Sequence, residues 1–122
     1  MTFTQLERSV LDAICAVQRP DMPTLHEVLT TAVVVSRENT GHGFFTHFRT
    51  SASTGRRWVR MIDGPSASMV DMGIDAVMGF ILWCSELGPT TLEGYQLGDA
   101  AGNTVDLATR ELDALQFSEI TY

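Results

Sequence analysis

Residues 32–50 read A-V-V-V-S-R-E-N-T-G-H-G-F-F-T-H-F-R-T, and this stretch decides the fold. Two extended runs, 33–37 and 44–49, flank Asn39-Thr40-Gly41-His42-Gly43. Gly41 and Gly43 permit the positive φ of a tight connection and Asn39 tolerates it, so the stretch predicts a β-hairpin. Side chains alternate along a strand, which puts Phe44, Thr46 and Phe48 on one face and Phe45, His47 and Arg49 on the other. Val33, Val34 and Val35 are β-branched at every position, which predicts a strand buried on both faces.

On the N-terminal side, Thr4-Gln5-Leu6-Glu7 fits a capping box, in which the Thr hydroxyl and the Glu carboxylate satisfy each other's free amides. Leu6, Val10, Ala13, Ile14 and Val17 then form one apolar stripe, predicting a helix over 4–18 that Pro20 closes. A second, short helix opens at Pro23 and carries Leu25, Val28, Leu29 and Ala32, leaving His26 and Glu27 exposed.

On the C-terminal side, 51–57 reads as a polar loop and 58–62 as a short strand. Asp63-Gly64-Pro65 reads as a turn, and 66–72 as a further strand. The run 75–86 is the strongest strand after the hairpin. Val77, Ile81 and Trp83 line one of its faces; Met78, Phe80, Leu82 and Cys84 line the other. Both are apolar, so it is expected at the centre of a sheet, with Gly79 marking a bulge or a close neighbour. Gly73, Gly79 and the aromatic content weigh against a continuous helix there. Leu87-Gly88-Pro89 turns the chain and 90–96 runs back antiparallel, before a loop at 98–103. The tail admits two readings: a helix over 105–115 capped by Asn103 or Thr104, or a strand in which Leu115, Phe117 and Glu119 alternate. Short turns between the central strands exclude parallel winding. The expected fold class is α+β, a single antiparallel sheet with N-terminal helices packed on one face, forming one domain over 1–122.

Composition narrows the partners. The chain has 122 residues, a formal net charge of −7 and no lysine. Residues 1–60 carry seven Arg against five acids, whereas 61–122 carry Arg110 alone against ten. Half the cationic side chains, Arg49, Arg56, Arg57 and Arg60, fall in one short segment that reads as a solvated loop or a docking edge. Phosphate contacts need clustered cations, so nucleic acid is not an expected partner. No signal-peptide pattern follows Met1, and the longest apolar run, 76–84, is far short of the ~20 residues of a membrane span. A complete, soluble, cytoplasmic protein without a membrane partner is expected. Cys15 and Cys84 read as buried free thiols rather than a bridge, and neither has zinc-ligand spacing.

Candidate chemistry is sparse. His42 and His47 are five apart and face opposite ways on a straight strand, so they form no ready metal pair. Glu93 lies in Leu92-Glu93-Gly94-Tyr95, on a strand expected to pair with a buried one. A half-buried carboxylate needs a partner, for which Arg37, His42, His47 and Tyr95 are the candidates. Gly41-x-Gly43 is no dinucleotide fingerprint, and no serine sits in a nucleophile elbow. No catalytic residue, cofactor or metal is assigned. The candidate ligand-binding residues are Arg37, His42, His47, Glu93 and Tyr95.

Thr40-Gly41-His42-Gly43-Phe44-Phe45-Thr46-His47-Phe48 and Leu92-Glu93-Gly94-Tyr95-Gln96-Leu97-Gly98-Asp99 resemble a set of small bacterial proteins of unknown function. These show a T-G-x-G-F-F-T-x-F hairpin, a glycine-bearing apolar strand and then L-E-G-Y/F. The resemblance spans roughly 25–99. It implies a small α+β fold and brings no activity, cofactor or catalytic residue.

Three functional expectations follow. The first is a small binding or protein-interaction domain, with a homodimer as one form, because apolar residues on both faces of a small sheet call for a partner. The second is a small-molecule-binding enzyme whose pocket gathers Arg37, His47, Glu93 and Tyr95. The third is an immunity- or inhibitor-type protein whose acidic C-terminal half covers a basic partner.

Overall fold

The computed structural model describes residues 1–18, 24–51 and 58–122. The helix start expected at Pro23 and the loop at 52–57, with Arg56 and Arg57, lie outside the described residues.

The capping box forms as the sequence predicts. The Thr4 amide donates to Glu7 Oε1 at 2.8 Å and the Glu7 amide donates to Thr4 Oγ1 at 3.2 Å. Helix α1 then runs over Gln5–Gln18. Its buried side is Leu6, Val10, Leu11, Ile14 and Cys15, whereas Val17 is 50% exposed, so the stripe turns toward Leu11 and Cys15 at its end. Each fully buried Val, Leu or Ile contributes roughly 1.5–3 kcal/mol. Helix α2 is a short Leu25–Thr30, with Leu25 and Val28 inward and His26 and Glu27 exposed.

Six strands follow: β1 Val33–Asn39, β2 Gly43–Arg49, β3 Met61–Met69, β4 Val77–Ser85, β5 Gly88–Gly98 and β6 Phe117–Thr121. They form one antiparallel sheet in the order β1-β2-β5-β4-β3-β6. This is the α+β architecture expected, with the helical layer on one face. One core cluster joins the inner side of α1 and α2 to Phe44, Phe48, Ile62, Met78, Phe80, Leu82 and Leu92.

Two strands depart from the sequence reading. The valine run is not buried on both faces. β1 is an edge strand, Val33 is 61% exposed, and the ladder slips between Val34 and Ser36. That bulge also blunts an edge otherwise open to pairing. Asp63-Gly64-Pro65 is not a turn but lies inside β3. Asp63 pairs with Ile81 and Ser66 with Gly79, so Gly64 and Pro65 together stand opposite Phe80. A bulge leaves a residue without its ladder bond, which is where proline's missing N–H is tolerated. A turn and such a bulge demand the same residues, so composition alone does not separate them.

Two glycines let the central strands carry aromatic rings. A Cβ on Gly94 would sit 2.9 Å from ring atoms of both Phe44 and Phe80, on the helix side. A Cβ on Gly79 would sit 2.5 Å from Cζ of Tyr95, on the other side. The close neighbour expected at Gly79 is therefore the Tyr95 ring.

The tail resolves as a strand, β6, preceded by two single 3₁₀ turns at Leu107–Thr109 and Leu112–Ala114 rather than a helix. Its backbone is already engaged elsewhere. Gln96 accepts from the Val105 amide at 2.9 Å and donates to the Val105 carbonyl at 2.7 Å. Asn39 donates to the Leu107 carbonyl at 2.8 Å, and the Leu107 amide donates to the Gly41 carbonyl at 2.8 Å. Backbone groups held in this way are not available to an i→i−4 ladder.

Candidate functional site

The two faces of the sheet treat polar side chains differently, and the hairpin supplies both. Alternation along β2 sends Thr46 inward and His47 outward. Opposite Thr46 on β1 stands Arg37, so Arg37 also points toward the helices.

Inside, these two residues meet Glu7. The carboxylate is 1% exposed and takes Arg37 Nη2 on Oε1 at 2.6 Å and Arg37 Nε on Oε2 at 3.1 Å. Thr46 donates its hydroxyl to Oε2, and the Thr4 amide donates to Oε1. Burial alone pushes the Glu7 carboxyl up. The hydrogen bonds from Arg37, Thr46 and Thr4, with the charge of Arg37, outweigh it and hold the group below the ordinary carboxylate range. The same bonds to Glu7 raise Arg37 against the opposing effect of burial. Arg37 further donates to the Thr2 carbonyl at 2.8 Å and meets Met1 Sδ at 3.5 Å. It borders an open cleft of about 740 Å³ between the start of α1 and 110–113. Its donors are taken up by the protein, so this cluster ties α1 to the hairpin rather than presenting a reactive group.

Outside, the polar groups are only partly engaged. His47 lies 2.8 Å from Glu38 Oε1 through Nε2 and 3.1 Å from Thr91 Oγ1 through Nδ1. Glu93 is half-buried, as expected, but its partner is Trp83, whose indole N–H donates to Oε1 at 2.9 Å. Around them stand Phe45, Val77, Ile81 and Tyr95, all half-buried. Phe45 stacks over His47 with ring centroids 6.2 Å apart. α1, α2 and the tail residue Leu107 belong to the core on the opposite side, and no described helix packs on this face.

The five candidate residues are therefore divided. His47, Glu93 and Tyr95 share the outer face, Arg37 lies on the inner one, and His42 sits at the hairpin tip, where its carbonyl accepts from Gln96 Nε2 at 3.0 Å. No pocket gathers Arg37 with His47, Glu93 and Tyr95, because Arg37 and His47 stand at opposite parities of the hairpin. Among the described residues no group of three or more His, Cys, Asp or Glu is placed to hold a metal ion. Sequence reasoning missed Glu7 and Thr46, since a capping-box glutamate ordinarily lies at the surface. The available signal was that Thr46 shares its face with two phenylalanines. It also gave Phe45 and Trp83 no site role, read Asp63 as a turn residue and passed over Glu38.

The cysteines are core residues, with Cys15 7% and Cys84 9% exposed. Burial pushes the Cys84 thiol up to about 11, away from thiolate reactivity.

Among the described residues no helix is long and apolar enough to cross a membrane. Compared with protein-family models, curated proteins and solved structures, the chain finds no match.

Proposed function

We propose that the chain is a protein-interaction domain whose docking surface is the helix-free face of the sheet. The observation that carries this reading is the composition of that face. Antiparallel sheets often leave one side in water, but that side is then polar. Here Phe45, Val77, Ile81, Trp83 and Tyr95 stand on it half-buried, and Leu97 is 56% exposed. Apolar side chains gathered on an open sheet face mark a place where another molecule sits. Five strands at about 4.8 Å and four side-chain rows at about 6.8 Å give the face roughly 650 Å². That is below the ~800 Å² per partner of a standard stable interface, which points to reversible association.

Site-specific photocrosslinking tests the reading. A benzophenone side chain is placed at Ile81 on the open face, or at Ala16 on the exposed side of α1. In cells, Ile81 is expected to yield a discrete protein adduct and Ala16 none. Equal adducts from both positions, or none from Ile81, would discard it.

A further inference from the structure

The strand registers align five residues of the open face in one row. Glu38 pairs with Phe45, Phe45 with Glu93, Glu93 with Ile81, and Ile81 with Asp63. Read across β1, β2, β5, β4 and β3, the row is acid, apolar, acid, apolar, acid. None of these positions is adjacent in sequence to the next, so only the topology creates the pattern. Acids on alternate strands are separated by two strand spacings, about 9.6 Å.

Each acid keeps acceptor capacity. Glu38 and Glu93 each use only Oε1, toward His47 and Trp83, and the Asp63 carboxylate, with Tyr122 as its electrostatic neighbour, accepts no side-chain hydrogen bond among the described residues. The Glu38 side chain is 65% exposed, and Asp63 is exposed as well. The neighbouring rows contribute His47, Thr91 and Trp83 on one side and Tyr95 over Gly79 on the other. Glu119 on β6, beside Ser68, adds a further acid, whereas Arg49 is the one arginine among the strand residues of this face.

We infer that the occupant of this face is a basic amphipathic helix of another protein, laid across the strands with its cations over Glu38, Glu93 and Asp63. The inference rests on the interaction-domain reading and specifies its partner. On a helix, residues seven apart lie on one face at about 10.5 Å, close to the separation of the acids. The apolar residues three or four positions between them fall over Phe45 and Ile81. An extended segment offers same-face spacings of about 6.8 or 13.6 Å and misses the acids. A second copy of this chain is the wrong occupant, because apposing two such faces doubles the carboxylates while each supplies only Arg49 as a fixed cation.

The probe is a three-heptad synthetic helical peptide with Lys at every seventh position and Leu three and four residues on. Its control carries Gln for each Lys. Both are titrated into the full-length protein while backbone amide shifts are followed. The Lys peptide is expected to bind saturably, to shift residues 45, 81 and 93, and to weaken as salt rises. The variant Glu38→Gln/Asp63→Asn/Glu93→Gln, with an unchanged circular dichroism spectrum, is expected to bind at least tenfold more weakly. If that variant does not fold, Glu38→Gln alone is expected to weaken binding about threefold.

Equal binding of the Lys and Gln peptides would overturn the charge assignment while leaving the face a docking surface. The same applies if neither peptide binds but the Ile81 crosslink persists. Sedimentation showing a dimer broken by Ile81→Asp would overturn the choice of partner. Loss of the Ile81 crosslink and of peptide binding together would remove the interaction reading itself.

Discussion

Thr46 and His47 are neighbours in the chain, yet they live under different rules. Thr46 is fully buried and its hydroxyl goes to Glu7. His47 keeps 35% of its side chain exposed and leans on Glu38, which is 65% exposed. The inner polar cluster ties an N-terminal helix to a hairpin thirty residues on, and its groups are consumed in doing so. The outer groups contribute little to holding the fold, which leaves them available for recognition. The difference teaches that in this sheet the side facing the helices spends its polarity on stability, and the other side retains it.

The largest expected effect is on the inner side. Arg37→Met leaves the Glu7 carboxylate buried without its counter-charge and is expected to cost about 3–5 kcal/mol in urea unfolding. The pH dependence follows from the lowered Glu7 pKa. In the wild type its contribution is full above the unfolded carboxylate value and is lost as pH falls through the folded one. The gap between wild type and Arg37→Met should therefore narrow on acidification, as Glu7 takes up a proton in both. A gap that is constant between pH 7 and pH 3 would mean that Arg37 acts by packing alone.

The glycines give the next two effects, again differing by face. Gly94→Ala drives a methyl between the Phe44 and Phe80 rings, which pack edge-on at 6.3 Å within the core. It is expected to cost about 1–3 kcal/mol. Gly79→Ala meets the far end of Tyr95 on the open face, where the ring has room to swing. Its expected cost is about 1 kcal/mol, and it should vanish in a Tyr95→Ala background, a coupling that a double-mutant cycle reads directly. If the two alanines cost the same, the open face is less free than its exposure implies.

The smallest effect is Glu38→Gln. A surface histidine–carboxylate pair contributes about 0–1 kcal/mol, so thermal unfolding should barely move. A loss as large as that of Arg37→Met would erase the contrast between the faces.

The sequence carried the elements with strong local periodicity and said less about where they meet. The α1 cap, the parity of 44–49 and the two apolar faces of 77–84 were all legible, because each follows from a spacing within one element. The valine run 33–35 reads as buried on both faces because β-branching reports strand propensity, not position in the sheet. Pro65 was read as a turn because its strain-relieving bulge exists only opposite Phe80. The row from Glu38 to Asp63 was invisible, since it is a product of register among five strands. Glu93 was noticed for the right reason, its half-burial, but its partner Trp83 sits one strand over and diagonal to it.

The docking of 105–107 has a kinetic consequence. Asn39 comes from the end of β1 and Gln96 from the end of β5, so the receptor for the tail exists only once those two hairpins have joined through β2. The joining closes a loop of more than forty residues, the slow kind of step in sheet folding. The segment 105–107 is therefore expected to settle after the hairpins unite.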